Sequence, residues 1–359
     1  MDGWILGIAE FRFSFPSLEL DRFVMKLAPT HALMTLLLIS VWFGAGSVPT
    51  ALAQNPTAPG AKKEVEIPKP EDVTLKTSDG FDIRCTYFKP VYNPETEEPG
   101  KTTLPFILLH DWERDRRDFY TFALQLQKAG CAVIVPDLRG HGESAQQGDA
   151  VLDLKKFRKL ELANMVNDIE ACKKFLVQRN NDAELNVDLL NVVAIGQTNV
   201  LAMNWIIYQD WYGYPPYRGN IKQGQDVKSL TMIAPVKKLG QINMNQELKH
   251  PMFSGRNPQM PNLPTLVIWA ENESATTKDS ISIFETMRKG RPDSEKVKDA
   301  IERAELETVR EIVLPRSNLS GTEMINQNEG IRIDIMRFVA SKVGAKLDQH
   351  PWQSRAAKQ

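Results

Sequence analysis

The stretch Val192-Val-Ala-Ile-Gly-Gln-Thr-Asn-Val-Leu-Ala-Met203 runs from apolar residues through Gly196 into a segment with helical character. A hydroxyl on such a strand–turn–helix connection stands at the end of a sheet, where it can attack a carbonyl once another group takes its proton. Thr198 is the residue so placed. The chemistry needs three further parts: an imidazole as base, a carboxylate to orient it, and backbone N–H groups to hold the developing oxyanion. The chain has only five histidines, at 31, 110, 141, 250 and 350, so their positions decide much.

The elements that must position these residues can be read from the apolar pattern. Residues 72–88 alternate on both sides of Asp79-Gly80, a strong hairpin signal. Short apolar strands are expected at 105–109, 131–135, 192–195, 229–234, 264–269 and 309–314. Helices are expected between them at 119–128, 160–178, 200–208, 281–288 and 294–303, with a closing amphipathic helix at 331–343. Continuous apolar strands alternating with helices predict a mostly parallel central sheet covered on both faces. Leu108, Val133, Ile195, Ile233, Val267 and Ile312 should then be buried on neighbouring strands.

Composition narrows the function classes. Apolar residues make up 42% and charged residues 25%, as in ordinary globular proteins. The net charge of −1 offers no basic field for nucleic acid. Lys26 precedes an apolar run at 32–44, and Ala51-Leu-Ala53 follows as a small-x-small cleavage signature. That run is shorter than the roughly 18 residues of a spanning helix. Residues 1–53 therefore read as a signal peptide, with Met25 as an alternative start, and the protein as exported, periplasmic or secreted, with no membrane span after cleavage. Residues 54–71 read as a Pro- and Lys-rich linker, 72–344 as one domain, and 345–359 as a polar tail without regular structure. The cysteines at 85, 131 and 172 allow at most one disulfide, and the sequence selects no pair. No metal-ligand spacing appears, and no cofactor is implied.

The stretch Val135-Pro-Asp-Leu-Arg-Gly-His-Gly-Glu-Ser144 is similar to the loop that follows the fourth strand in serine aminopeptidases, monoglyceride-lipase-like enzymes and related esterases. Leu109-His110 resembles the His-Gly loop of the same group, with Asp111 where glycine usually stands. The resemblance spans roughly 72–344 and implies an α/β-hydrolase fold: an N-terminal hairpin, then a mostly parallel sheet with helices on both faces.

The resemblance also assigns the catalytic positions, and this chain departs at each. Against the pattern Gly-x-Ser-x-Gly stand Gly196, Gln197, Thr198, Asn199 and Val200. A nucleophile elbow forces its central residue toward positive φ, which a β-branched threonine resists, and Val200 opposes a tight turn. A relaxed turn is expected. The acid position falls on Ala270-Glu-Asn-Glu273, where Glu273 is the candidate. The base position falls within Leu314-Pro-Arg-Ser-Asn-Leu-Ser-Gly-Thr322, where Asn318 or Ser317 stands and no histidine occurs. Asp111, Trp112 and Asn199 mark the segments expected to form the oxyanion hole. The resemblance assigns His141 a structural place, so His110 and His250 are the remaining candidates for a displaced base. The aromatic stretch Trp205, Trp211, Tyr212, Tyr214 and Tyr217 is either a binding rim or a loop packed on the domain edge. These departures predict an exported hydrolase-like protein without a triad, a pseudoenzyme whose partner is a small molecule or a protein. The competing reading is an ester or peptide hydrolase using Thr198 or a displaced histidine.

Overall fold

The computed structural model describes residues 67–356 apart from 94, 95, 214, 215 and 258. The expected signal peptide, most of the linker and Tyr214 lie outside the described residues. Eight strands form one sheet. They are β1 (Glu71–Lys76), β2 (Asp82–Phe88), β3 (Pro105–Leu109), β4 (Ala132–Pro136), β5 (Leu190–Ile195), β6 (Val227–Ile233), β7 (Thr265–Ala270) and β8 (Val309–Leu314). Their order across the sheet is β1-β2-β4-β3-β5-β6-β7-β8. The β1–β2 hairpin pairs antiparallel and β2 lies antiparallel to β4, whereas β4, β3, β5, β6, β7 and β8 run parallel.

Strand composition explains this placement. Every residue of β3, β4, β5 and β7 is buried, as strands covered on both faces require. The edge strands β1 and β8 instead carry exposed positions between buried or half-buried ones. Leu108, Val133, Ile195, Ile233 and Val267 are fully buried. Ile312 is only half-buried, because edge strand β8 has a neighbour on one side alone.

Successive side chains on each strand feed two separate layers. Ile107, Leu109, Val192 and Ala194 pack on one face; Phe106, Leu108, Val193 and Ile195 pack on the other. The helices are α1 (Tyr120–Lys128), α2 (Lys159–Asn164), α3 (Val166–Asn181), α4 (Thr198–Trp205), α5 (Pro251–Ser254), α6 (Thr277–Arg288), α7 (Ala300–Leu306), α8 (Gly321–Gln327) and α9 (Glu329–Lys342). Helices α3, α4 and α6 cover the first face through Ile169, Met203 and Ile283. Helices α1, α8 and α9 cover the second through Phe122, Met324 and Phe338.

Three elements differ from the sequence reading: the helix expected over 294–303 is a single 3-10 turn at Ser294–Lys296 followed, after a break, by α7, and two others depart as follows. The single helix expected over 160–178 is divided at Met165, where Asp168 N–H turns back to the Met165 carbonyl. This tighter step accompanies an inward-facing Asp168, which is fully buried on Arg139. Residues 345–356 of the C-terminal tail also belong to the same compact unit as the sheet. Asn180 Nδ2 donates to Gln353 O at 3.0 Å, and Trp352 Nε1 donates to Asn180 O at 3.2 Å. The Arg355 guanidinium reaches Asp226 at 2.5 Å. Polarity alone suggested a free tail; buried carboxylate and amide partners hold it instead.

Candidate functional site

The parallel register brings the carboxyl ends of β3, β5 and β6 to one edge, with Leu109 beside Ala194 and Ile195 beside Ile233. Open α/β sheets bind ligands at this edge. The His110–Trp112 loop leaves β3 there, and the Gly196 turn leaves β5.

After β5, the Gly196 N–H donates to Ile233 O at 2.9 Å, which completes the pairing with β6. The chain then reverses at Gly196, whose φ is +58°. Gln197 already has right-handed helical angles, and α4 begins at Thr198. The reversal thus lies two residues ahead of the position that the sequence pattern assigns to Thr198. Glycine alone in this segment takes a left-handed conformation without steric cost. Thr198, Asn199 and Val200 are freed for the first turn of the helix.

The Thr198 side chain is fully buried. Its hydroxyl donates to Ile195 O at 2.8 Å and approaches Leu109 O at 3.4 Å. It ties α4 back to the strand it follows. Asn199 Nδ2 donates to Gly196 O at 2.9 Å, while its buried Oδ1 has no partner among the described residues. Val200 belongs to the core under the sheet.

Asp111 occupies the space above this turn. Its Oδ1 accepts the Trp112 N–H at 2.8 Å and the Gln197 N–H at 3.4 Å. A Cβ built on Gly196 would stand 2.0 Å from the same oxygen. The carboxylate therefore fills both the side-chain volume at the turn and the approach to the two N–H groups beside it. Burial raises its pKa, and the Trp112 and Gln197 N–H groups act against that rise. The start of α4 lies under this carboxylate, where a helix dipole favours negative charge.

None of the described histidines is a hydrogen-bond partner of the Thr198 hydroxyl, and the buried Nε2 of His141 has no partner among the described residues. His110 is fully buried, with Nδ1 against Asp111 O at 2.7 Å, and its Nε2 accepts the Leu138 N–H at 3.1 Å. Because Nε2 accepts, the proton sits on Nδ1, and no lone pair remains to act as a base. His141 lies against both His110 and the half-buried Trp112, with ring centroids 4.9 and 4.7 Å away. Its pKa is lowered to about 4 by burial first and by His110 second. His250 caps α5 through Met252 N at 3.4 Å, and His350 faces Asp188 at 3.6 Å. His31 lies outside the described residues.

Neither the acid nor the base position joins the turn. Glu273 caps the start of α6, accepting from Ala275 N at 3.2 Å and Thr276 N at 2.8 Å. Asn318 is exposed, and Ser317 Oγ accepts from Leu319 N within its own loop. That loop does approach the sheet: a Cβ on Gly321 would come 2.4 Å from the Ile195 side chain. The approach carries a glycine and no imidazole.

The Pro136–Ser144 segment acts as a clasp. Arg139, 2% exposed, holds Asp168 through Nε at 2.8 Å and Asp79 of the hairpin turn through Nη1 at 2.6 Å. Asp137 accepts the N–H groups of Arg116 at 2.7 Å and Glu143 at 2.9 Å. The Leu138 bond to His110 ties the clasp to the Asp111 loop. Among the described residues, no group of three or more His, Cys, Asp or Glu could hold a metal ion.

No protein-family model and no curated protein matches the chain. Solved structures do. An esterase of Pyrococcus furiosus is 13% identical with a TM-score of 0.50, over 77% of this chain and 92% of that one. A thermostable carboxyl esterase from Bacillus coagulans is 10% identical with a TM-score of 0.51, over 76% of this chain and 99% of that one. The chain has the α/β-hydrolase fold. In this fold the nucleophile sits at the turn after β5. The oxyanion is held by the N–H of the next residue and by one from the loop after β3. In this chain Gly196 carries the positive φ at the turn after β5, Gln197 follows it, and Trp112 lies in the loop after β3. The sequence pattern put Thr198 at the turn and Asn199 after it, whereas both lie in the first turn of α4. The available signal was that Gly196 alone between β5 and α4 lacks a Cβ.

Proposed function

We propose that this chain is an exported α/β-hydrolase-fold protein without serine-hydrolase activity, which acts by binding a small molecule or a protein. The observation that carries the reading is the Asp111 carboxylate held by the Trp112 and Gln197 N–H groups above a glycine turn. Acyl transfer needs those donors free for the oxyanion; losing one such donor costs about 2.7–4 kcal/mol in the transition state. A carboxyl oxygen fixed on those donors leaves no room there for the oxyanion, before the missing base is counted.

A Thr198 nucleophile is disfavoured by its burial and its bond to Ile195 O. Its hydroxyl is engaged by backbone carbonyls, and no imidazole among the described residues bonds it. Export rests on Lys26, the 32–44 apolar run and Ala51-Leu-Ala53. A mature N-terminus at Gln54, read by mass spectrometry, supports it; a mature form that retains 25–53 contradicts it.

The decisive assay is hydrolysis of short-chain p-nitrophenyl esters by the mature chain, beside Thr198→Ala. Equal rates for the two, at the level of a non-enzymatic protein control, support the reading. A rate well above that control and lost in Thr198→Ala restores the alternative of an ester or peptide hydrolase that uses Thr198.

A further inference from the structure

The three cysteines are not equivalent in the fold. Cys85 lies on β2 and Cys172 on α3, and both point into the same core layer. Cys131 packs in the layer on the opposite face of the sheet. The sheet therefore separates Cys131 from the other two. Cys85 Sγ and Cys172 Sγ lie 4.0 Å apart, with both residues at most 1% exposed. The sequence left the pairing open; the geometry points to one pair.

We propose that Cys85 and Cys172 form a disulfide that staples the N-terminal hairpin to α3 when the chain folds in the presence of a disulfide donor. A disulfide bond is about 2.05 Å long, so each sulfur must move about 1 Å, within the swing of a Cβ–Sγ bond about its rotamer. The reaction is two successive exchanges. One cysteine thiolate attacks the donor disulfide, forming a mixed disulfide and releasing one donor thiol. The second cysteine thiolate attacks the mixed disulfide, and the second donor thiol leaves. Cys85 and Cys172 are each oxidised by one electron, the donor disulfide is reduced to two thiols, and the two cysteine protons pass to those thiols.

Burial fixes the timing. A donor has no path to either sulfur in the folded chain, and burial holds the Cys85 thiol protonated. The exchange therefore belongs to folding, before the hairpin closes on α3. Two contacts favour the pairing once the hairpin docks. Arg139 joins the hairpin residue Asp79 to Asp168 on α3, and Tyr87 packs edge-to-face on Phe175 at 5.0 Å. The cross-link closes a loop between residues 87 apart in sequence, so its main effect is to restrict the unfolded chain. An exported protein meets the oxidising conditions in which such a bond persists.

The test refolds the mature chain from denaturant in a buffer of reduced and oxidised glutathione, and in parallel with reductant alone. Each sample is then denatured, alkylated with N-ethylmaleimide and weighed intact, with peptide mapping. The proposal expects one alkylation in the oxidised sample, on Cys131, and a joined peptide containing Cys85 and Cys172; the reduced sample takes three. Cys131→Ala should keep the cross-link and Cys172→Ala should abolish it. The oxidised chain should unfold at a higher denaturant concentration than the reduced one, and natively folded reduced chain should oxidise far more slowly than refolding chain. Three free thiols after oxidative refolding to the native circular-dichroism spectrum would overturn the proposal. So would a cross-link that contains Cys131.

Discussion

The Asp111 carboxylate stands where a side chain on Gly196 would have to be, with Oδ1 2.0 Å from the position of that Cβ. The two residues are complementary: one lacks a side chain at the turn, and the other supplies a carboxylate to the vacated space. This coupling is measurable. Gly196→Ala pays a left-handed backbone cost of about 1–2 kcal/mol and must also displace Asp111. In the double variant with Asp111→Gly the steric part disappears, and about 1–3 kcal/mol of coupling should appear in a denaturation cycle. Strictly additive single and double variants would show that the two side-chain volumes do not compete.

The part of the stability that depends on His141 should fall as the solution becomes mildly acidic, against the opposite contribution of buried Asp168, whose pKa burial raises to about 6. Burial and the adjacent His110 lower the His141 pKa from an ordinary 6.5 to about 4. Between those values the unfolded chain binds a proton that the folded chain refuses, so stability is full above the upper value and drains away as pH falls toward the lower one. The loss attributable to His141 is on the order of 3 kcal/mol. Burial lowers the His110 pKa too, which adds to the same trend. Acidification from pH 7 to pH 5 should lower the denaturation midpoint more, or raise it less, in the native chain than in His141→Asn. An equal difference in both would remove His141 from this account.

The C-terminal tail should contribute to stability through charge balance. Lys173 and Arg355 neutralise Asp210 and Asp226 in a cluster whose side chains are at most 4% exposed. Arg355→Gln removes the guanidinium at 2.5 Å from Asp226 and leaves that carboxylate with Lys173 at 3.1 Å and Lys222 at 3.8 Å, so the variant should cost about 1–3 kcal/mol, the worth of a charge-assisted buried hydrogen bond. Adding Asp226→Asn removes the buried charge that Arg355 faced and should regain part of that loss. A double variant no more stable than Arg355→Gln alone would contradict the charge argument.

What the sequence disclosed follows from the range of the contacts involved. The Pro136–Ser144 clasp is legible because its bonds are partly local: Glu143 N–H meets Asp137 six residues away. The apolar runs of β3, β5 and β7 are equally plain, since full burial on both faces leaves an unbroken hydrophobic stretch. The turn after β5 is not legible in this way. Which of Gly196 and Thr198 carries the reversal depends on Asp111, 86 residues from Gln197 in sequence. Likewise, Arg355 looks like one more charge in a polar tail until Asp226, 129 residues away, comes beside it. Glu273 was readable as a carboxylate in the expected loop, but its capping of α6 required the helix start to be known.

The most direct measurement of the central claim is labelling of the mature chain by a fluorophosphonate, read as intact mass. Such a probe reacts with a hydroxyl only where a base activates it and the oxyanion hole is free. The account predicts no adduct on the native chain beyond that on the heat-denatured chain, and the same result for Thr198→Ala. Stoichiometric labelling of the native chain, absent from Thr198→Ala, would contradict it: Thr198 would then be an activated nucleophile, and Asp111 would have to leave the N–H groups that it occupies.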